Sequence, residues 1–327
     1  MHDVLGRVLE ETELRGRVYC ETVARSPWGV NFDRVDQAMF HFVTEGGCWL
    51  FAGRTRQELV AGDLVLVAPN TSHALADHEK SRRVRLSDWL TAREPGESRI
   101  GGNEGRETRV ICGVYEFEHA GPEHPVLRLL PRTLHLSAQR IGERPELAST
   151  MAALAREHAS GGRGASLVVS RLLEVVFVQA LRTWADDEPP GGAGFIGALG
   201  DPALSRALAA LHDDLGRAWS VTSLARVAGT SRATLGRRFS AEVGESPLGY
   251  LTRARMTRAA QRIETSDDGL AAVAHDLGYS SEFAFSRAFR RQYGVPPGEY
   301  RRRHAGSLGA ASATVSPERS SANRAGR

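Results

Sequence analysis

Ten residues of this 327-residue chain recur, in order, about fifty positions further on. Leu224, Ala225, Gly229 and Ser231 return as Val273, Ala274, Gly278 and Ser280 at an offset of 49. After a one-residue insertion the offset is 50, and Arg237, Phe239, Gly244, Pro247, Tyr250 and Arg253 return as Arg287, Phe289, Gly294, Pro297, Tyr300 and Arg303. The repeated arginines suit one kind of chemistry. A guanidinium donates two parallel hydrogen bonds, to the O6 and N7 of a guanine edge or to a phosphate.

A second set of chemically able residues lies in the first half. Three cysteines, Cys20, Cys48 and Cys112, are odd in number and widely spaced, which gives neither a disulfide framework nor a CxxC metal knuckle. Cys20 in Arg-Val-Tyr-Cys-Glu and Cys112 in Val-Ile-Cys-Gly fall in strand-like stretches. Two thiols on neighbouring strands can form a disulfide or a sulfenic acid and so sense oxidants. The same two residues also fit a plainer role as small buried hydrophobes.

The elements that must position these groups follow from periodicity. From Met39 to Leu75, short runs of Val, Phe and Trp broken by Gly46-Gly47, Ala52-Gly53 and Gly62-Asp63 read as antiparallel hairpins of a sandwich or barrel. Ser87 to Glu107 has little periodicity and reads as a mobile loop, and strand character resumes from Thr108 to Phe117. Pro145 to His158 and Ser166 to Trp184 carry apolar residues at helical spacing and form a helical hairpin. Asp201-Pro202 opens a helical region. Each copy of the repeat within it has a short helix (Val221 to Ala228; Leu270 to Leu277), a turn glycine, a capping serine and a second helix with Arg on one face and Phe on the other. That is a helix-turn-helix, whose second helix fits a major groove about 12 Å wide. Between the copies, Pro247 to Glu264 reads as a helix of about 18 residues, roughly 27 Å long, against a groove repeat of about 34 Å.

The expected layout is a barrel over residues 1–140, a hairpin over 141–185 that supports dimerisation, a linker over 186–200, a helical domain over 201–304 and a disordered tail over 305–327. Composition agrees: 41% apolar and 25% charged residues with a mean hydropathy of -0.30 exclude disorder for most of the chain and allow two domains. No run approaches the roughly 18 apolar residues of a membrane span, and the N-terminus lacks the apolar core of a signal peptide. A cytoplasmic protein with no membrane partner is expected. The net charge of +3 is unevenly placed: residues 201–304 hold 16 Arg against 11 acidic residues, the tail adds +2, and residues 1–200 carry -4. An acidic regulatory or catalytic half is joined to a half suited to a polyanion.

Leu-Ala-Arg-Val-Ala-Gly-Thr-Ser-Arg-Ala-Thr-Leu-Gly-Arg-Arg-Phe and Leu-Gly-Tyr-Ser-Ser-Glu-Phe-Ala-Phe-Ser-Arg-Ala-Phe-Arg-Arg-Gln-Tyr-Gly-Val-Pro-Pro-Gly-Glu-Tyr-Arg resemble the DNA-binding region of AraC/XylS-type transcription factors. Carried over by position, the resemblance implies DNA contacts from Arg232, Ala233, Gly236 and Arg237 in the first recognition helix and from Glu282, Phe283, Ser286 and Arg287 in the second. Arg237 and Arg287 are expected to discriminate bases and Arg253 to hold phosphate. Glu282 either accepts from cytosine N4 or caps its helix. Phe239, Phe285, Phe289 and Tyr250 are expected in the core.

The stretch His-Phe-Val-Thr-Glu-Gly-Gly-Cys-Trp-Leu, with Leu-Val-Ala-Gly-Asp-Leu-Val-Leu-Val-Ala-Pro-Asn-Thr-Ser-His-Ala-Leu, resembles the cupin sensor domain that precedes this module in many such regulators. Cupin enzymes hold a metal with two closely spaced His, a Glu and a later His. Here His41, Glu45 and His73 are present but position 43 is Val43, and His119, His124 and His135 are scattered, so no metal or other cofactor is expected. His41 and His73 otherwise read as hydrogen-bonded barrel residues.

The fold class is therefore multidomain: an N-terminal all-β cupin-like barrel with a helical hairpin, then a C-terminal all-α domain with two helix-turn-helix motifs. The resemblance implies a sequence-specific DNA-binding transcriptional regulator and no enzyme, answering a small-molecule or redox signal. Its partners are double-stranded DNA, RNA polymerase if it is an activator, a small-molecule effector and a second copy of itself. The alternatives are a cupin metalloenzyme with an appended DNA-binding module and a nucleoid protein without sequence preference.

Overall fold

Two β-sheets face each other across the first half of the chain. A computed structural model describes residues 5–6, 9, 14–92, 99–102, 105–117, 130–187 and 195–311. Its contacts divide into two units, Met1–Ala210 with Val221–Pro247, and Leu211–Ser220 with Leu248–Arg327. His119, His124 and most of the expected tail lie outside the described residues.

In the first unit the strands are β1 (Leu14–Arg25), β2 (Gly29–Phe32), β3 (Ala38–Glu45), β4 (Gly47–Ala52), β5 (Thr55–Val60), β6 (Leu64–Val67), β7 (His73–Ala76), β8 (Val84–Arg85), β9 (Arg99–Gly101), β10 (Glu107–Phe117) and β11 (Thr133–Leu136). One sheet has the order β11-β6-β3-β10-β1-β9 and the other β5-β4-β7-β2-β8. Among the described residues no ladder joins the two, so the cupin-like region is an open two-sheet sandwich, not a closed barrel. The chain crosses between sheets at Gly46-Gly47, the turn between β3 and β4.

Period-2 alternation decides what faces inward. Met39, Val43, Val65, Val67, Val110, Cys112 and Val114 of one sheet pack with Trp28, Val30, Phe32, Cys48, Leu50 and Leu75 of the other in a single buried cluster. Asp63 anchors the turn before β6: its carboxylate accepts from the backbone N–H of Val60 (3.2 Å) and Ala138 (2.7 Å) and meets His135 Nε2 at 2.9 Å. The described residues of the stretch 87–107 include regular elements, and residues 93–98 and 103–104 of the expected loop lie outside the described residues. Helix α1 (Leu86–Ala92) and β9 occupy parts of the stretch, and Ile100 joins the core. A three-residue strand pairing only with the end of β1 is too short to leave a period in the sequence.

Helices α2 (Ala138–Gly142), α3 (Pro145–Ser160) and α4 (Ala165–Asp187) follow. The outer face of β1 and β10 is covered by α4, which is why β10 is buried on both faces. The Tyr115 hydroxyl donates to Leu173 O at 3.1 Å, and its ring centroid is 4.7 Å from that of Phe177. A Cβ at Gly16 would come within 2.3 Å of Leu173 Cβ, so the helix can approach β1 this closely only over glycine.

The helical part consists of α5 (Phe195–Gly200), α6 (Pro202–Asp213), α7 (Val221–Ala228), α8 (Arg232–Val243), α9 (Pro247–Thr265), α10 (Leu270–Asp276), α11 (Glu282–Tyr293) and α12 (Pro297–Ala311). In the first unit α8 packs on α7 and α5. In the second, α11 packs on α10 and α12, and Phe285 and Phe289, both fully buried, build an aromatic core with Tyr293 and Tyr300. The repeated tyrosines are tied down alike: the Tyr250 hydroxyl meets His212 Nε2 at 2.7 Å, and the Tyr300 hydroxyl donates to Glu264 at 2.6 Å.

Candidate nucleic-acid interface and sensor cluster

Both turns of the repeat need glycine. Gly229 and Gly278 have φ of +69° and +77°, and a Cβ at Gly278 would stand 2.2 Å from Gly216 O. The serines that follow cap the second helices: Ser231 Oγ accepts from Thr234 N at 3.1 Å and Ser281 Oγ from Ala284 N at 3.2 Å. Ser231 therefore corresponds to Ser281 and not to Ser280, because the inserted residue falls in the turn, before the cap. At an offset of 50, Arg232, Ala233, Gly236 and Arg237 then superpose in role on Glu282, Phe283, Ser286 and Arg287.

These eight residues occupy the same face of α8 and α11. Arg232, Ala233, Arg237, Glu282, Phe283 and Arg287 are exposed, and Gly236 and Ser286 half-buried. Opposite them Leu235, Phe239, Phe285 and Phe289 are buried. Among the described residues no carboxylate pairs with Arg232, Arg237 or Arg287. Arg238 differs: it donates to Asp201 at 2.9 Å, in the residue that also caps α6 through Ala203 N and Leu204 N. Glu282 is free of the capping duty, which Ser281 fills. The small residues Ala233, Gly236 and Ser240 of α8 line an open groove together with Val221, Arg232, Ser246 and Pro247.

Arg253 does not fit the phosphate role. It is 8% exposed, and its guanidinium lies 4.9 Å from the centroid of the Tyr250 ring. Its repeat partner Arg303 is exposed and pairs with Glu299. The repeat thus preserves a position that one copy uses in its core and the other leaves at the surface.

The cysteines and histidines of the first half converge inside the sandwich. Cys20 and Cys112 are cross-strand partners in β1 and β10, and Cys112 is also opposite His41 in β3. His41 Nδ1 lies 3.1 Å from Cys112 Sγ, His41 Nε2 lies 2.7 Å from His73 Nε2, and His73 Nδ1 lies 3.2 Å from Thr71 O. The carbonyl can only accept, so the neutral His73 carries its proton on Nδ1 and offers a lone pair at Nε2. His41 must then donate from Nε2, which leaves its Nδ1 to accept the Cys112 thiol proton. Two further acceptors lie near this thiol, Cys20 Sγ across the strand pair and Val110 O at 4.0 Å. Phe32 stacks on His73 with ring planes 1° apart.

Electrostatics keeps this chain neutral. Burial, aided by His73, holds His41 well below the ordinary imidazole value, and burial holds His73 down to about 4. The hydrogen bond with Cys20, and then burial, push the Cys112 thiol well above its ordinary value, and burial pushes Cys48 up to about 12. Cys112 is therefore a poor nucleophile at rest, whereas Cys20 is only partly buried and hydrogen-bonds Thr22 Oγ1 at 3.3 Å. Both cysteines line a cavity of about 40 Å³ with Trp28, Phe32 and Met39.

His41, Glu45 and His73 do not come together as metal ligands. Glu45 is at the exposed end of β3, paired with Arg109 at 3.1 Å, and the two histidines use their facing nitrogens on each other. Among the described residues no group of three His, Cys, Asp or Glu is arranged to hold a metal.

Two family descriptions match the chain: "Cupin" over residues 3–186 and "Helix-turn-helix domain" over residues 224–303. A putative AraC-like transcription regulator of Streptomyces lividans is 33% identical over 303 residues, 92% of this chain and 98% of that one. The chain belongs to the AraC-like family of transcription regulators. As an AraC-like protein with a cupin-like N-terminal region it is a DNA-binding transcriptional regulator, and double-stranded DNA is its partner. It is also similar to the HTH-type transcriptional regulator AlkR of Acinetobacter baylyi (26% identical; 91% of this chain, 99% of that one). Likewise similar is the RCS-specific HTH-type transcriptional activator RclR of Escherichia coli (26% identical; 92% and 98%). These relatives are transcription regulators. No helix of the AraC-like chain, among the described residues, is long and apolar enough to cross a membrane.

In this AraC-like regulator the participation of His41, Thr22 and Phe32 around the cysteines was not foreseen from the sequence. The alternation of β3 and β10 carries a signal for His41, since Met39, His41 and Val43 share the inward face with Val110, Cys112 and Val114.

Proposed function

We propose that the regulator reads DNA bases through α8 and α11, with Arg237 and Arg287 as the principal readers, and that oxidation of Cys20 and Cys112 sets its activity. The observation that carries the first part is the equivalence of two capped helices. Each presents, six residues past its cap, an exposed arginine with no carboxylate partner among the described residues, while the neighbouring Arg238 is held by Asp201. The remaining polar positions are Arg232 and Glu282, which open the two helices, and Ser286, next to Arg287. Ala233 and Gly236 bring the backbone of α8 close to whatever it meets. We assign the protein no catalytic step.

For the signal, a peroxide oxidises the partly buried Cys20 thiol to a sulfenic acid and leaves as water. Cys112 sulfur then forms the S–S bond as the sulfenic hydroxyl leaves, and the Cys112 proton, relayed through His41 Nδ1, ends on that hydroxyl to make a second water. Two thiols lose two electrons in all, and the peroxide is reduced to two waters. The disulfide removes the thiol that, among the described residues, is the donor to the fully buried His41 Nδ1, which costs about 1–3 kcal/mol and favours rearrangement of the His41–His73–Thr71 chain. The inter-sheet cavity of about 40 Å³ is far below the roughly 300 Å³ of small-molecule sites, so an organic effector would have to use an open cleft beside α4, such as the one of about 740 Å³ lined by Arg17, Cys20, His158 and Ser166.

Exposed Leu167, Val168 and Val175 on α4 support a homodimer through the hairpin, and RNA polymerase is a further partner if the protein is an activator. Footprinting of the DNA upstream of the protein's own gene, with reduced and peroxide-treated protein, tests the proposal. A bounded footprint that changes on oxidation supports it; uniform coverage without sequence preference, or identical footprints, contradicts it.

A further inference from the structure

We infer that Phe283 reads the 5-methyl group of a thymine next to the base taken by Arg287. This rests on reading α11 as a recognition helix and adds a second base to it. Phe283 is 72% exposed, more than any other large apolar side chain among the described residues. The helix does not need it for its core, because Phe285 and Phe289 of the same helix are fully buried. The repeat does not need it either, since the equivalent residue of α8 is Ala233.

Its position indicates the occupant. Phe283 is the second residue after the Ser281 cap, at the helix end whose residues touch base edges in a major groove. The adjacent Glu282 is exposed and carries a charge that disfavours seating this end on phosphate. One turn on, the Arg287 guanidinium carbon lies 5.8 Å from the Phe283 ring centroid, so an apolar ring and a five-donor fork form one surface. Thymine alone among the four bases offers a methyl group in the major groove, and guanine offers the O6 and N7 pair. A thymine neighbouring a guanine matches both halves of that surface.

The test uses the full-length protein on its footprinted site, with each thymine replaced in turn by deoxyuridine, which lacks only the methyl group. Fluorescence anisotropy should show one replacement that weakens the wild type about fourfold, the value expected for burying one methyl. Phe283→Ala should bind the unmodified site more weakly by a similar factor and lose its response to that replacement, whereas Phe283→Leu should retain part of it. An unchanged melting temperature is expected for both, the side chain being exposed. The inference is overturned if Phe283→Ala binds like the wild type, responds to deoxyuridine as the wild type does, or loses only transcriptional activity, which would assign the ring to a protein partner. Arg287→Ala on the same duplexes separates the two levels. If it relaxes base preference while Phe283→Ala changes nothing, only the methyl contact fails; if neither variant alters base preference, the reading of α11 fails.

Discussion

Cys20 and Cys112 stand opposite one another on antiparallel strands, with their side chains turned into the same small cavity between two sheets. Directly paired residues on antiparallel strands have Cα atoms about 4.5–5.5 Å apart, inside the range a disulfide spans. Oxidation therefore demands little movement of β1 or β10. What it does demand is the Cys112 proton, and the acceptor for that proton, His41 Nδ1, is already in place.

Peroxide treatment of the reduced full-length protein should join Cys20 to Cys112 and leave Cys48 alkylatable after unfolding, as read by mass spectrometry of non-reduced peptides. Cys20→Ser should abolish the reaction, while Cys112→Ser should trap a sulfenic acid on Cys20. Equal oxidation of all three cysteines would contradict the assignment.

The two buried histidines make the N-terminal sandwich acid-sensitive. In an unfolded chain each takes up a proton near pH 6.5, but in the fold both do so only at lower pH, His73 near 4. Between those values the unfolded state binds more protons, so stability rises with pH. The His73 contribution is complete above about pH 6.5 and is lost as pH falls toward 4, by up to about 1.4 kcal/mol per pH unit, and His41 acts in the same direction. Hydrogen exchange of peptides covering β3 and β7, corrected for intrinsic rates, should accelerate accordingly, and His73→Leu should reduce the slope. A slope unchanged by that variant would mean that His73 does not cause it.

Arg253→Ala should act on stability rather than on phosphate binding. The side chain is buried against Tyr250, so its removal should cost roughly 1–3 kcal/mol of stability. The dependence of DNA affinity on salt should stay as in the wild type, because no phosphate contact is lost. A lower salt slope with an unchanged melting temperature would restore the phosphate role.

The sequence made the helical part legible to a depth that the sandwich did not share. Periodicity, the turn glycines and the repeat placed α7, α8, α10 and α11, because each rests on contacts near in sequence. Arg253 escaped because a repeat equates positions and not environments: its partner Arg303 faces solvent. In the sandwich, the relation of Cys20 to Cys112 was posed as two thiols on neighbouring strands, which the register bears out. In the sequence His41 groups with Glu45 and His73, and the approach of His41 to Cys112 depends on β3 pairing with β10, strands separated by more than sixty residues. No local pattern reports a register of that range. Strand β9 was missed for the opposite reason, being too short to carry a period.

Base reading by the paired arginines is tested most directly by measuring the affinity of wild-type, Arg237→Ala and Arg287→Ala proteins for the footprinted site and for a scrambled duplex of the same length at one salt concentration. Each variant should lose about 1–3 kcal/mol on the specific site and little on the scrambled one, with its preference relaxed at a different base pair. Equal losses on both duplexes would show that the arginines only neutralise phosphate.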